Sequence, residues 1–233
     1  LETNTLMNFL TQWFPTEWMF AAHFIWAAFL LFTARRASVT AAAQPAAVGV
    51  TTVCLAVLWT LNADLGSGQL AGMSYHLLGM NLAALMLGIP TALWLGFILL
   101  IPYTMLNGTE NLNAVSLNAL FLLLPALSIN MLMRKVAQKL PPNLFVYIFL
   151  NGFISAALGM LFTGFLIVIL LQTAGAFPAE ILWSSAFPVF FLLSWGEAFL
   201  NGIFTAIFVA LRPQWLATFD DSRYLHTENS IWK

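Results

Sequence analysis

Polar residues in this chain fall in clusters, and the apolar residues between them run together in long blocks. Seven blocks occupy residues 18–33, 46–61, 70–87, 91–106, 115–133, 144–172 and 181–211. A helix needs about 20 apolar residues, at about 1.5 Å rise each, to cross the hydrocarbon of a bilayer. Each block therefore predicts a membrane-spanning helix. The expected fold is all-α: a polytopic bundle of seven transmembrane helices.

The breaks between blocks carry their own signals. Phe9 to Pro15 forms an amphipathic lead into the first helix, and Trp13 and Trp18 suit the aromatic belt at a membrane–water interface. The third block is short and carries Gly72, Gly79 and Gly88, after which Gly88-Ile89-Pro90 predicts a tight, uncharged turn into the fourth. Residues 107–113 form a polar outer loop, and the sequon-like Asn107-Gly108-Thr109 reads as a turn in it. Lys139-Leu140-Pro141-Pro142 breaks the chain before a long sixth helix, and Pro188 predicts a kink in the seventh. Asn151, Gly152, Ser155, Ala156 and Gly159 place small and polar groups on one side of the sixth helix, where neighbours can approach closely. No internal repeat or low-complexity tract appears. Residues 1–233 read as a single transmembrane domain, with 213–233 as a short polar tail.

Composition agrees with a lipid-facing exterior. The chain is 61% hydrophobic and 7% charged, with a mean hydropathy of +0.88. A soluble domain carries roughly 25% charged residues. Charge placement then orients the bundle. Arg35 and Arg36 follow the first block, Arg134, Lys135 and Lys139 the fifth, and Arg212, Arg223 and Lys233 the seventh. These are all exits on one side if every block crosses once, and the positive-inside bias makes that side cytoplasmic. Glu2, Glu17, Asp64, Glu110 and Glu180 fall on or near the other side. The N-terminus is expected outside and the tail inside the cytoplasmic (inner) membrane of a bacterium. A net charge of −1 with no basic patch gives no sign of nucleic acid as a partner. Cys54 stands alone in an apolar run, so neither a disulfide framework nor a thiolate metal cluster is expected. No secretory signal is apparent before the first block.

An ionisable group inside lipid is costly and marks a candidate site. Glu197 lies near the middle of the seventh block. Ser194, Glu197, Asn201 and Thr205, spaced by 3, 4 and 4, share one helical face that must turn inward or line a wet cavity. Glu197 reads either as a buried structural carboxylate bonded to helix ends or as a substrate or proton site. His76 lies in the Gly-rich third block. On a helix, Met73, His76 and Met80 offer thioether, imidazole and thioether on one face, a soft set for Cu(I), while imidazole alone suits Ni, Co or Zn. Against this, methionine is a common gap-filler in helical packing. His23 becomes a second ligand if the first helix packs on the third. No Lys-Ser/Thr phosphate loop, H-E-x-x-H or G-x-S-x-G is present, so neither ATP hydrolysis by this chain nor a protease site is expected. No prosthetic group is expected, and a transition-metal ion enters as substrate.

The order of features from His76 onward resembles a known family. His76-Leu77-Leu78-Gly79-Met80-Asn81-Leu82, leading to Gly88, is similar to the His-Pro-Thr-Gly segment of the cobalt/nickel-type energy-coupling-factor permeases, the CbiM family. Phe14-Pro15 before a Trp-rich helix resembles their start, and Pro188 to Glu197 resembles their last helix. The resemblance implies a seven-helix substrate-binding subunit that captures a divalent metal from outside. It implies as partners a transmembrane coupling subunit and cytoplasmic ATPases, as in an ABC transporter. In that family the amino terminus, a His after the initiator Met, and the His of the His-Pro-Thr-Gly segment hold the metal. His76 matches the last of these. Met7-Asn8 stands where Met-His would, and Leu77 and Leu78 replace the Pro and Thr. The scaffold thus carries over further than the identity of the ion.

Two other readings stand beside transport. One is a non-transporting accessory or assembly subunit on the same scaffold, bound to a partner through its small-residue helix faces. The other, an intramembrane enzyme using Glu197 and His76, lacks a nucleophile and an electrophilic stabiliser.

Overall fold

The computed structural model describes residues 8–61, 75–106 and 108–224. These form α1 (Thr16–Ala43), α2 (Pro45–Thr60) and α3 (Met80–Met105). They continue as α4 (Thr109–Gln138), α5 (Leu144–Thr173) and α6 (Ala179–Leu211), closed by a short α7 (Asp221–Tyr224). Five of these are long and apolar enough to cross a membrane, and α2 is a shorter apolar helix. Seven apolar segments result, because α3 is two arms. Gly88 breaks it with φ 74° and ψ 158°, a left-handed conformation that glycine adopts without steric penalty. The turn expected at Gly88-Ile89-Pro90 is therefore a break inside one continuous apolar stretch.

The third block departs most from expectation. Residues 75–79 are not helical, and helix begins only at Met80. The arm 80–87 is about 12 Å long at 1.5 Å per residue, roughly half a bilayer, whereas 89–105 runs about 25 Å. Non-helical backbone at such depth survives only where protein satisfies its polar groups, and here it does, as described below. Helices α4 and α6 begin before their expected blocks. Helix α1 runs on to Ala43, so Arg35 and Arg36 sit within it.

Prolines inside α4 and α6 are absorbed by local widening. Residues 119–123 and 182–186 adopt π-helical turns immediately before Pro125 and Pro188. A proline lacks the N–H that would close the preceding turn, and a one-residue bulge removes the need for it. Small residues decide how closely helices pack. A Cβ on Gly152 would stand 2.9 Å from Thr205 Oγ1, and one on Gly159 3.3 Å from the Ala126 Cα. Gly164 makes room for the Phe190 ring. Helix α5 thereby lies against both α6 and α4. Helix α1 stands at the perimeter, with Phe24, Leu31 and Phe32 exposed where lipid would be.

The lead before α1 is inserted into the bundle. Phe9 and Phe14 are buried, and Trp13 packs edge-on against Phe177 rather than standing free at an interface. Phe9 N–H donates to Asn118 Oδ1 at 2.6 Å, and Asn118 Nδ2 donates back to the Phe9 carbonyl at 3.3 Å. The basic residues gather at one end. Arg35, Arg36 and Arg134 line one cleft, and Arg223 Nη2 donates to the Gln138 carbonyl at 2.9 Å.

Candidate functional site

The arm 80–87 is held at both ends by α6 and the chain that follows it. At its start, Gly79 takes φ 66° and leaves its N–H and that of Leu78 without helical partners. Glu197 Oε1 accepts both, that of Gly79 at 2.9 Å. A carboxylate at a helix N-terminus meets unpaired N–H groups and the positive end of the helix dipole together. Glu197 Oε2 accepts from Asn201 Nδ2 at 2.9 Å, and the same amide donates to the Glu197 carbonyl at 2.8 Å. At the arm's far end, Ala217 N–H donates to the Met86 carbonyl at 3.0 Å, and Thr218 Oγ1 donates to that of Leu85 at 2.9 Å. The break at Gly88 thus leaves Leu85 and Met86 satisfied.

Asn81 sits one residue into the arm and ties it to α4 and α5. Its Nδ2 donates to the carbonyls of Asn151 and Gly152 at 3.0 and 3.2 Å. Its Oδ1 accepts from Asn130 Nδ2 and Ser155 Oγ, both at 2.7 Å. All of these groups are buried. Residues 147–154 form a π-helical turn, which frees carbonyls of that helix for an outside donor. Sequence reasoning passed over Asn81 and Asn130, and the signal available was a lone amide within an apolar block.

His76 precedes the arm, 3% exposed. Its ring packs against Trp59 and Tyr103 at centroid distances of 5.9 and 5.2 Å. Trp59 Nε1 also donates to the Leu78 carbonyl at 2.9 Å, which pins the irregular segment. His76 Nδ1 lies 2.8 Å from the Leu77 carbonyl. A carbonyl only accepts, so Nδ1 carries the proton and Nε2 presents a lone pair. Among the described residues that buried Nε2 has no hydrogen-bond partner. Asn8, in the inserted lead, donates through Nδ2 to Thr104 Oγ1 at 2.8 Å, and its buried Oδ1 has no hydrogen-bond partner among the described residues.

Other sequence candidates separate from His76. His76 and Met80 do not share a helical face, because residues 75–79 are non-helical and helix starts at Met80. Met73 lies outside the described residues. Met80 is fully buried and directed at Gly96. His23 lies on α1 with Nδ1 2.8 Å from Ser116 Oγ, so its partner differs from those of His76. Ser194 bonds back to the Phe191 carbonyl at 2.6 Å and, with Glu197 and Asn201, is buried. Among the described residues no group of three His, Cys, Asp or Glu is placed to hold a metal ion.

Comparison with known proteins adds the family. Neither the curated proteins nor the solved structures yield a match. The family described as the cobalt uptake substrate-specific transmembrane region matches residues 9–215, a stretch that runs from the inserted lead through the cap on the broken third helix. That match covers nearly all of the seven-segment bundle, and the chain belongs to the cobalt uptake substrate-specific transmembrane family, CbiM.

Proposed function

We infer that this chain is the substrate-capturing component of an energy-coupling-factor-type importer and takes a divalent transition-metal ion at His76. One observation carries this reading: the buried Nε2 of His76, without a hydrogen-bond partner among the described residues, beside an Nδ1–H that donates to a backbone carbonyl. That is the arrangement of metal-binding histidines, whose second nitrogen is oriented by a carbonyl or carboxylate while the first faces the ion. Leaving a buried acceptor unsatisfied costs about 1–3 kcal/mol, and an arriving cation removes that cost.

The donor set fits a cargo site better than a permanent one. A resident zinc centre uses four protein ligands, whereas among the described residues no group of three His, Cys, Asp or Glu is placed to hold an ion with His76. A transport site must also let its ion go. The basic end of the bundle is the cytoplasmic one, which puts His76 toward the opposite face and gives the ion entry from outside. A membrane coupling subunit and cytoplasmic ATPases supply the energy, since the chain has no nucleotide-binding loop of its own.

Titration of purified protein with Ni, Co, Cu(I) and Zn, compared with His76→Ala, tests the reading. At least one ion is expected to bind on the order of 10- to 100-fold more weakly to the variant, as loss of an orienting or ligating group typically produces. Equal binding of every ion by parent and variant would make His76 a packing residue and leave the accessory-subunit reading.

A further inference from the structure

A second feature lies at the opposite, basic end. Helix α1 packs on residues 115–123 of α4 but makes little contact with 124–138, so the two helices diverge below the π-turn. The gap between them is a cleft of about 940 Å³, floored by the broken segment 87–90 and closed on one side by Ala217 and Thr218. Its walls are apolar: Phe29 and Phe32 from α1, and Leu127 and Met131 from α4. Phe32 is 82% exposed and Met131 47%, so the cleft opens sideways toward the lipid.

Three arginines, Arg35, Arg36 and Arg134, line this cleft. Among its lining residues there is no Asp or Glu. Asp220, in the tail nearby, accepts from Ser222 Oγ at 2.6 Å and from Ser222 N–H at 3.0 Å. Three arginines with no carboxylate among the described lining residues, beside an apolar slot that opens into the bilayer, call for an occupant with an anionic head and an apolar body. We propose that the cleft binds an anionic phospholipid, its phosphate on Arg35, Arg36 and Arg134 and an acyl chain along Phe29, Phe32 and Met131. Arginine suits this role because its planar fork holds phosphate oxygens bidentately. A soluble phosphate would leave the aromatic wall bare, and a zwitterionic lipid would leave the charge unbalanced. The lipid would also wedge the floor at Gly88, tying bilayer composition to the arm that leads to His76.

Native mass spectrometry of delipidated protein, titrated with phosphatidylglycerol or with phosphatidylcholine of the same acyl chains, tests this. Tighter binding of phosphatidylglycerol is expected. Replacing all three arginines by Gln should weaken it on the order of 100-fold, from about 1 kcal/mol per basic group. Lys135→Gln/Lys139→Gln removes charge from the same end outside the cleft and should change it by no more than about threefold. Equal affinity for the two lipids, or an unchanged affinity in the triple variant, overturns the proposal. Displacement of the lipid by inorganic phosphate at similar concentrations would overturn it in favour of a simple anion site. Displacement by an acidic helical peptide would overturn it in favour of a protein partner. Should the triple variant not fold, Arg134→Gln alone carries the test, with a loss of about fivefold expected and no loss overturning the idea.

Discussion

Glu197 Oε1 accepts the backbone N–H of Gly79 at 2.9 Å, across 118 residues of chain. The contact joins the middle of the last helix to the start of a helix that begins inside the bundle. It gives the buried carboxylate of Glu197 helix-end partners. The carboxylate supplies the cap without which a half-length helix would expose bare N–H groups to hydrocarbon, where each costs several kcal/mol.

Glu197→Ala should therefore destabilise the bundle by roughly 2–3 kcal/mol, the scale of losing charge-assisted bonds to buried donors. Glu197→Gln should cost less, since its amide oxygen can still accept from Leu78 and Gly79. Its amide nitrogen, however, meets the Asn201 amide donor head-on. Thermal unfolding of the purified proteins in detergent measures both. A Gln variant as unstable as the Ala variant would mean that the charge itself, rather than the accepted bonds, holds the arm.

Gly79 is the other half of this cap. At φ 66° an added Cβ is strained, and it would also lie 2.8 Å from Leu58 Cδ1. Gly79→Ala should cost about 1–2 kcal/mol from the backbone alone and more if Leu58 cannot move. The same unfolding assay checks it, and a neutral effect would show that the arm can start elsewhere.

Asn81 bridges three helices, so its loss is felt on both sides. Asn81→Leu strands the donors of Asn130 and Ser155 and frees the Asn151 and Gly152 carbonyls. A loss of roughly 1–3 kcal/mol per stranded group is expected, whereas Ser155→Ala should cost about 0.5–1.5 kcal/mol. Comparing the two unfolding transitions ranks them, and a larger effect at Ser155 would contradict Asn81 as the hub.

Orientation follows from the clustering of Arg35, Arg36 and Arg134 at one end. A reporter active only in the cytoplasm should report when fused after Arg134 and stay silent when placed within residues 108–114. Signals of equal strength from the two fusions would refute the inside placement of the basic end.

What the sequence determined by itself was the class of the fold, a polytopic bundle of apolar helices. Hydropathy is a property of local composition summed over about 20 residues, so the blocks at 18–33, 46–61 and 144–172 needed no partner to be recognised. The break at Gly88 was legible for the same reason, since Gly-Ile-Pro disfavours helix wherever it stands. The stripe of Ser194, Glu197 and Asn201 was legible as one face from its spacing alone. Only tertiary structure decided that residues 75–79 stay non-helical and that helix begins at Met80. That choice depends on a carboxylate 118 residues away and on Trp59 holding the Leu78 carbonyl, neither of which leaves a trace in local periodicity. The same holds for His76. Composition could name it as a ligand type, but its setting, with one backbone carbonyl taking Nδ1, two aromatic rings against it and no partner for Nε2 among the described residues, comes from packing. Those are facts of packing, and packing between distant segments is the one thing a linear pattern of apolar residues does not encode.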